Sequence, residues 1–163
     1  MTLVLDRPVR DAIVEHARDG DPEEVCGVLG GTHDADGIDG ARSGESVDDT
    51  GSGGPDEPRS SYARTSTRVP NVAATPRTRY ELDPAEQFRA MEAVEGAGDD
   101  VVGFYHSHPR GPPEPSATDE ALATWTGYAY VIVSLGGHEP ELGSWRWTGE
   151  AFERESVEVV DGS

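Results

Sequence analysis

The sequence predicts an α+β domain in which one mixed β-sheet is flanked by helices. Stretches with apolar residues at helical spacing alternate with short, almost continuous apolar runs that are typical of buried strands. Gly and Pro turn signals separate the strands expected toward the C-terminus. Because 163 residues is an ordinary size for one domain, we expect a single domain over residues 1–163.

The first half of the chain is expected to hold a helix, a strand and an insertion. Asp6 is a candidate N-cap, apolar residues follow it at helical spacing, and Gly20 ends the predicted helix. Residues 25–31 are expected to form a buried strand. From 33 to 61 the composition changes to Gly, Ser, Asp and Pro, which predicts a disordered acidic insertion; a substrate-gripping flap that orders on binding is the alternative.

The second half is expected to alternate strands with helices. A helix is predicted from Asp83 to about residue 96, with Phe88, Met91 and Val94 on its buried face. Another helix is expected to begin at Ser116. Strands are expected at 68–73, 101–106, 128–135, 143–148 and 155–160.

The charge of the chain is strongly one-sided. The formal net charge is -19, from 32 acidic and 13 basic residues, and all of the basic residues are Arg. Such a surface repels nucleic acids and anionic membranes, so neither is expected as a partner. It also favours a salt-adapted host, since salt screens the self-repulsion; an acidic chain from a GC-rich genome without a salt requirement is the alternative.

Cysteine usage restricts the kinds of site that the chain can build. Cys26 is the only cysteine, which excludes an intrachain disulfide, a four-cysteine zinc site and an iron–sulfur cluster. Cys26 itself is expected to be a small buried strand residue rather than a nucleophile or redox sensor. The N-terminus has no signal-peptide pattern and the longest apolar run is too short to span a bilayer, so we expect a soluble, cytoplasmic protein.

The segment His-Ser-His-Pro at 106–109 is the most informative part of the sequence. Alternate residues of a strand point to one face, so His106 and His108 can present two imidazoles to one point. A reversing loop would bring Asp119 back to add a carboxylate oxygen. Three such ligands suit zinc and leave a fourth position open, as in catalytic zinc sites. The alternative is that the histidines are ordinary polar residues and that Ser116 and Asp119 only cap a helix.

A general base for such a site has to come from elsewhere in the chain. Neither an H-E-x-x-H helix nor the cysteine pair of nucleobase deaminases is present. An acidic pair, Glu23 and Glu24, precedes the first predicted buried strand, and Glu24 is our candidate base. Composition does not separate the two residues, and a solvated acidic pair is the alternative.

Three motifs together identify a family. The combination of E-V-C-G-V-L-G-G, H-S-H-P-x-G and P-S-x-x-D resembles the JAMM (MPN-type) zinc metalloproteases. Residues 68–82 and 142–147 are also similar to prokaryotic members. The resemblance implies a cytidine-deaminase-like fold, zinc held by His106, His108 and Asp119, Glu24 as general base, and Ser116 as a residue that holds the substrate oxygen.

The resemblance also implies the reaction and its substrates. It suggests hydrolysis of the isopeptide bond, and of linear bonds as well, after the C-terminal Gly-Gly of small archaeal ubiquitin-like modifiers, which releases them from target lysines. An extended Gly-Gly tail could add as a strand at a sheet edge. Two alternatives stay open: C-terminal processing of a sulfur-carrier protein for cofactor or cysteine synthesis, and a non-catalytic, zinc-stabilised interaction module. The sequence does not predict an oligomeric state.

Overall fold

The described residues form a mixed sheet with three helices, which confirms the predicted α+β class. The structure is a computed structural model and describes residues 1–33 and 60–161. In chain order the elements are β1 (Thr2–Asp6), α1 (Arg7–Gly20), β2 (Cys26–Thr32), β3 (Ser60–Val69), α2 (Pro84–Gly96), β4 (Asp100–His108), α3 (Ala117–Leu122), β5 (Ala129–Ser134), β6 (Glu141–Trp147) and β7 (Phe152–Val160). None of these helices is long and apolar enough to cross a membrane.

The sheet closes on itself in the order β1-β3-β2-β4-β5-β6-β7, with β7 returning to pair with β1. The contacts of β1 with β3 and β7, and of β4 with β5, are parallel, and the remaining contacts are antiparallel. Apolar side chains pack on both faces: α1 covers one cluster, and α2 covers the other around Phe104. Each of these seven strands has two neighbours, but the pairing does not cover every strand in full: within the described residues, 65–69 of β3 pair only with β2. Addition of a Gly-Gly tail at a sheet edge therefore stays a prediction.

The two long helices match their predicted positions but differ in detail. Asp6 lies at the N-cap of α1 without making a capping bond, because its carboxylate accepts a hydrogen bond from the Tyr62 hydroxyl at 2.6 Å instead. Asp83 does cap α2. The expected buried face of α2 is wrong at Phe88, which is 61% exposed, and Ala90 and Val94 are the buried residues.

Strand positions differ from the prediction at both ends of the insertion. The expected short strand at 68–73 is wrong, since the long strand β3 ends at Val69. Ser60 and Ser61, placed at the end of the predicted insertion, belong to β3. Residues 34–59, the rest of the predicted insertion apart from His33, lie outside the described residues. Strand β1 was not predicted, because five residues directly before a helix carry little periodicity.

Candidate metal centre and catalytic cleft

The end of strand β4 carries the two histidines. His106 and His108 are separated by one residue, so the alternation of a strand places both imidazoles on the same face of the sheet. Both side chains are buried. Their Nε2 atoms lie 3.2 Å apart, which confirms that the two rings converge on one point.

The register between β2 and β4 brings Glu24 to this point from far along the chain. Cys26 pairs with His106 in the antiparallel ladder. One step further, the Val25 N–H donates to Ser107 Oγ at 2.9 Å and the Ser107 N–H donates to the Val25 carbonyl at 3.0 Å. Because opposed residues of an antiparallel pair share a face, this pairing places Glu24 level with His108.

Asp119 lies in the first turn of the short helix α3, next to the two histidines. Its backbone N–H donates to Ser116 Oγ at 3.1 Å, and its Oδ2 accepts the Ser116 N–H at 2.9 Å, so the two residues form a capping box. The same Oδ2 lies 3.1 Å from Nε2 of His106 and 3.1 Å from Nε2 of His108. The capping role therefore orients the carboxylate toward the histidines, so the helix cap is compatible with the predicted ligand role of Asp119, which stays a prediction.

The three facing atoms form a triangle that fits a divalent metal ion. The sides measure 3.1 to 3.2 Å, and an edge of a tetrahedron with metal bonds of ~2.0 Å measures ~3.3 Å. The Nδ1 of His108 lies 2.8 Å from the Pro112 carbonyl, which only accepts, so Nδ1 carries hydrogen and neutral His108 presents a lone pair at Nε2. A lone pair facing a carboxylate oxygen at this distance requires a proton or a cation between them.

The charge states of the triangle follow from burial and mutual contact. Burial lowers the pKa of His106. Burial would also lower the pKa of His108, but its hydrogen bonds with Asp119 and the Pro112 carbonyl, together with the charges of Asp119 and Glu24, outweigh burial and raise that pKa. Burial would raise the pKa of Asp119, yet the bonds to both histidines hold it well below its usual range. Asp119 is therefore the anion of the triangle.

Glu24 lies beside the triangle with an unused oxygen. It is buried, its Oε1 has no hydrogen-bond partner among the described residues, and one of its carboxylate oxygens lies within 4.8 Å of a ring nitrogen of His106 and of His108. Burial raises the pKa of Glu24 to about 7, with His108 lowering it and Asp119 raising it. An unpaired buried carboxylate oxygen costs about 1–3 kcal/mol, so its persistence here calls for a partner that binds at the site.

Ser116 completes the cleft from the other side. Its Oγ accepts one bond from Asp119, and none of the described residues takes its hydroxyl hydrogen. The exposed hydroxyl lines a cleft of about 390 Å³ together with Glu24 and His108. All five predicted site residues therefore meet, and a hydroxyl donor faces the same space as the carboxylate and the imidazole.

Comparisons with known proteins agree with this arrangement. The family described as prokaryotic homologs of the JAB domain matches residues 6–148. The chain belongs to this family. It is 43% identical over 161 residues to the desampylase of Haloferax volcanii, with 96% of each chain covered. It is 34% identical to the CysO-cysteine peptidase of Mycobacterium tuberculosis, covering 98% of this chain and 92% of the relative.

A solved structure supports the fold of this JAB-domain chain. The crystal structure of a JAB1/MPN domain protein from Archaeoglobus fulgidus superimposes with a TM-score of 0.56 at 20% identity, covering 96% of this chain and 97% of that chain. The predicted family and the JAMM/MPN-type fold are therefore confirmed.

Three residues that the sequence interpretation did not single out also build this JAB-domain site. Tyr80 stacks on the His106 ring with 4.0 Å between centroids and 16° between planes. Ser107 ties β4 to the Glu24 segment. Alternation puts the Ser107 side chain on the opposite face from the histidines, a signal that was available in the sequence. The contacts of Tyr80 and Asn71 join distant segments and leave no local pattern.

Asn71 uses all four of its side-chain hydrogen bonds to hold the loop between β3 and α2. Its Nδ2 donates to the carbonyls of Glu24 at 2.9 Å and Arg79 at 3.1 Å. Its Oδ1 accepts the N–H groups of Ala73 at 3.0 Å and Glu81 at 2.9 Å. One amide thus connects the backbone of Glu24 to the segment that carries Tyr80.

We expect Asn71→Ala to misplace the candidate base rather than the metal ligands. The change removes a bond to the Glu24 carbonyl, and small displacements of catalytic groups cost up to about 100-fold in rate. The variant should therefore lose mainly kcat, with KM and metal content close to those of the parent, as measured by steady-state kinetics and metal analysis. Val72→Ala, an exposed position in the same loop that does not line the cleft, is the control. Loss of metal together with kcat would contradict this role.

Cys26 is inert in this structure. The thiol is fully buried and contacts the Val69 carbonyl at 3.4 Å. Burial, followed by the Glu24 charge, raises the pKa of Cys26 to about 12. Both observations fit a structural strand residue, as expected from the sequence.

A thiol reagent should therefore leave the folded protein unmodified. At pH 8 iodoacetamide is expected to label Cys26 only after denaturation, because the reactive thiolate is scarce and shielded in the native state. Mass spectrometry of native and denatured samples measures the difference. Rapid labelling of the native protein with loss of activity would support the alternative of a reactive thiol.

Proposed function

We propose that this chain is a zinc-dependent isopeptidase that cleaves after the C-terminal Gly-Gly of small ubiquitin-like modifiers and releases them from target lysines. The observation that carries the proposal is the unpaired, buried carboxylate oxygen of Glu24 beside two imidazoles and an anionic aspartate. The broader prediction of a hydrolase of peptide-type bonds is confirmed by the family and by relatives named desampylase and CysO-cysteine peptidase.

Zinc is the ion that the donor set favours. Two imidazole nitrogens and one carboxylate oxygen are borderline-soft ligands that suit zinc, whereas Mg²⁺ and Ca²⁺ prefer oxygen ligands throughout. His106, His108 and Asp119 would hold it. When bound, zinc supplies Lewis acidity, which polarises a carbonyl group and acidifies water.

Glu24 and Ser116 are assigned the proton transfer and the hydrogen bond to the substrate oxygen. Glu24 takes a proton from the attacking water, since its pKa of about 7 suits a base that must also release the proton near neutral pH. The Ser116 hydroxyl donates a hydrogen bond to the oxygen of the scissile carbonyl as charge develops there, a contribution of about 3–4 kcal/mol in acyl transfer. The C–N bond then breaks, the acyl group keeps the water oxygen, and Glu24 returns the proton to the departing amine.

A second candidate function uses the same chemistry on another leaving group. The similarity to a CysO-cysteine peptidase supports trimming of a single amino acid from the C-terminus of a sulfur-carrier protein. The higher identity to the desampylase favours modifier conjugates. A non-catalytic zinc module is disfavoured, because burying the unpaired Glu24 carboxylate oxygen costs stability and such a module has no use for that carboxylate.

One experiment tests the proposed function directly. The purified protein, loaded with zinc in molar salt, is incubated with a ubiquitin-like domain whose Gly-Gly is joined either to a lysine side chain or linearly to a peptide, with and without a chelator. We expect metal-dependent cleavage of the lysine-linked substrate. Absence of hydrolysis of both substrates would refute the proposal. Cleavage that continues in the presence of the chelator would refute the metal requirement.

We further propose a cytoplasmic role in a salt-adapted archaeal cell. The net charge of -19 supports it, and the Haloferax relative is in accord. Self-repulsion is screened over ~10 Å at 0.1 M salt but over ~3 Å at 1 M, so the melting temperature is expected to rise steadily from 0.1 M to molar KCl. Circular dichroism measures the melting temperature at each salt concentration. A constant or falling melting temperature would favour an acidic protein without salt adaptation.

A further inference from the structure

The mouth of the catalytic cleft is positively charged although the chain is strongly acidic. Arg77 and Arg110 are both exposed and both line the cleft, where Glu24 is the only acidic residue among the lining side chains. Elsewhere, five described arginines pair with carboxylates: Arg7, Arg10, Arg68, Arg89 and Arg146. Neither Arg77 nor Arg110 has a hydrogen bond or ion pair in the described part of the chain.

Two guanidinium groups without a carboxylate partner lie at one cleft of a chain that has 32 acidic and 13 basic residues. Of the nine other described arginines, five pair with carboxylates, whereas four have no ion pair in the described part of the chain: Arg18, Arg64, Arg79 and Arg154. What distinguishes Arg77 and Arg110 is that both line one cleft. Arginine presents a planar set of donors that matches a carboxylate, and this contact relies on hydrogen bonds as well as charge. It therefore keeps part of its strength in molar salt, where simple charge attraction is screened.

The position of Arg77 indicates which half of the substrate it meets. In the proposed reaction Glu24 returns a proton to the departing amine, so the amine lies on the Glu24 side of the cleft. The carbonyl of Pro76, the residue before Arg77, accepts the Glu24 N–H at 2.7 Å. Arg110 follows the proposed ligand His108 by two residues and lines the same cleft. Both arginines therefore share the cleft with Glu24, the residue that protonates the departing amine in the proposed reaction.

We propose that Arg77 and Arg110 select substrates that carry a carboxylate on the leaving-group side of the scissile bond. The inference rests on the proposed function and deepens it by naming a substrate feature. The carboxylate has two possible sources: acidic side chains flanking the target lysine in a protein, or the α-carboxylate of a single departing amino acid. Both place an anion next to the departing amine, and the experiment separates them.

The test compares two matched pairs of leaving groups on one ubiquitin-like domain ending in Gly-Gly. The first pair joins it to the lysine side chain of Glu-Lys-Glu or Gln-Lys-Gln, with both peptide ends blocked. The second pair joins it to alanine or to alanine amide. We expect kcat/KM to be about tenfold higher for the charged member of at least one pair, as a charge-assisted but exposed contact allows. The pair that shows the preference identifies the source of the carboxylate.

Variants assign the preference to the two arginines. In Arg77→Gln/Arg110→Gln we expect the charged-to-uncharged ratio of kcat/KM to fall from about ten to about one. Arg7→Gln/Arg89→Gln changes the net charge equally, outside the cleft, and should keep the ratio of the parent. The single variants, checked for folding by thermal melting, show how the preference divides between the two side chains.

The possible failures are distinguishable. Equal cleavage of charged and uncharged leaving groups by the parent, or a preference that survives in the double variant, would overturn the role of Arg77 and Arg110 while leaving the isopeptidase intact. A preference lost equally in Arg7→Gln/Arg89→Gln would also overturn it, because net charge would then be the cause. No cleavage of any of the four substrates would refute the proposed function, and this inference with it.

Discussion

Glu24→Gln is expected to lower kcat by about 10²–10⁴ while the protein keeps its metal. Glutamine has the shape of glutamate but cannot take a proton from water at neutral pH. The proposed metal ligands lie on β4 and α3, so the substitution leaves the triangle of His106, His108 and Asp119 in place. Steady-state kinetics on the lysine-linked substrate and metal analysis of the same sample measure the two quantities.

A matched control and a second observable separate catalysis from folding. Glu23→Gln removes the same charge from the exposed neighbour and should retain full activity. Near-normal turnover by folded Glu24→Gln would contradict the base assignment. Stability gives an independent check, because a carboxyl whose pKa is raised to about 7 is destabilising once it ionises.

The sign of this stability effect can be worked out for metal-free protein. Between the ordinary pKa of 4.5 and about 7, folded Glu24 binds more protons than the unfolded chain does, so stability falls as pH rises through that window. Glu24→Gln has no ionisable group at this position, so its stability does not fall for this reason as pH rises. Its melting temperature should exceed that of the parent at pH 8, by about 2–4 °C per kcal/mol, and the difference should vanish below pH ~4.5.

Local patterns predicted the parts of the site that depend on one element. The His-x-His spacing was sufficient for His106 and His108, because the alternation of a strand determines their common face. Ser116 and Asp119 were accessible as a helix start, and the capping box orients the Asp119 oxygen toward both histidines. Glu24 could be separated from Glu23 only through the family resemblance. The structure supplies the physical reason, since the β2–β4 register places residue 24 opposite His108.

Contacts between residues far apart in the chain could not be predicted from the sequence. Nothing near Asn71 indicates that its amide holds the carbonyls of Glu24 and Arg79 together. Helical periodicity assigned Phe88 to the core, but the apolar face of α2 is narrow and rests on Ala90 and Val94. Asp6 was expected to cap a helix, and competition from the Tyr62 hydroxyl, fifty-six residues away, decided otherwise. At Asp6 a tertiary partner thus overrides a local capping preference of about 1 kcal/mol.

Asp119→Asn is expected to abolish stable metal binding and, with it, turnover. Asp119 is the anion of the triangle and contacts both imidazoles through one oxygen. Loss of a residue that merely orients a ligand costs about 10–100-fold in metal affinity, so removal of a charged ligand should cost more than that. Titration with zinc against a chromophoric chelator measures the affinity. The melting temperature provides a second readout: a ligand at 100 times its Kd adds ~2.7 kcal/mol to stability, so zinc should stabilise the parent but not the variant.

Two further variants decide whether Asp119→Asn loses metal because a ligand is missing or because the cap of α3 is broken. Ser116→Ala removes the other half of the capping box and should keep the metal, while kcat falls by about 10²–10³ through loss of the donor to the substrate oxygen. Glu120→Gln removes an exposed charge from the same helical turn and should change neither quantity. If Ser116→Ala lost the metal as completely as Asp119→Asn, the carboxylate would act mainly by holding α3 in place, and the triangle would not be the metal site. Retention of metal by Ser116→Ala, with loss of turnover alone, assigns binding to Asp119 and oxyanion stabilisation to its capping partner.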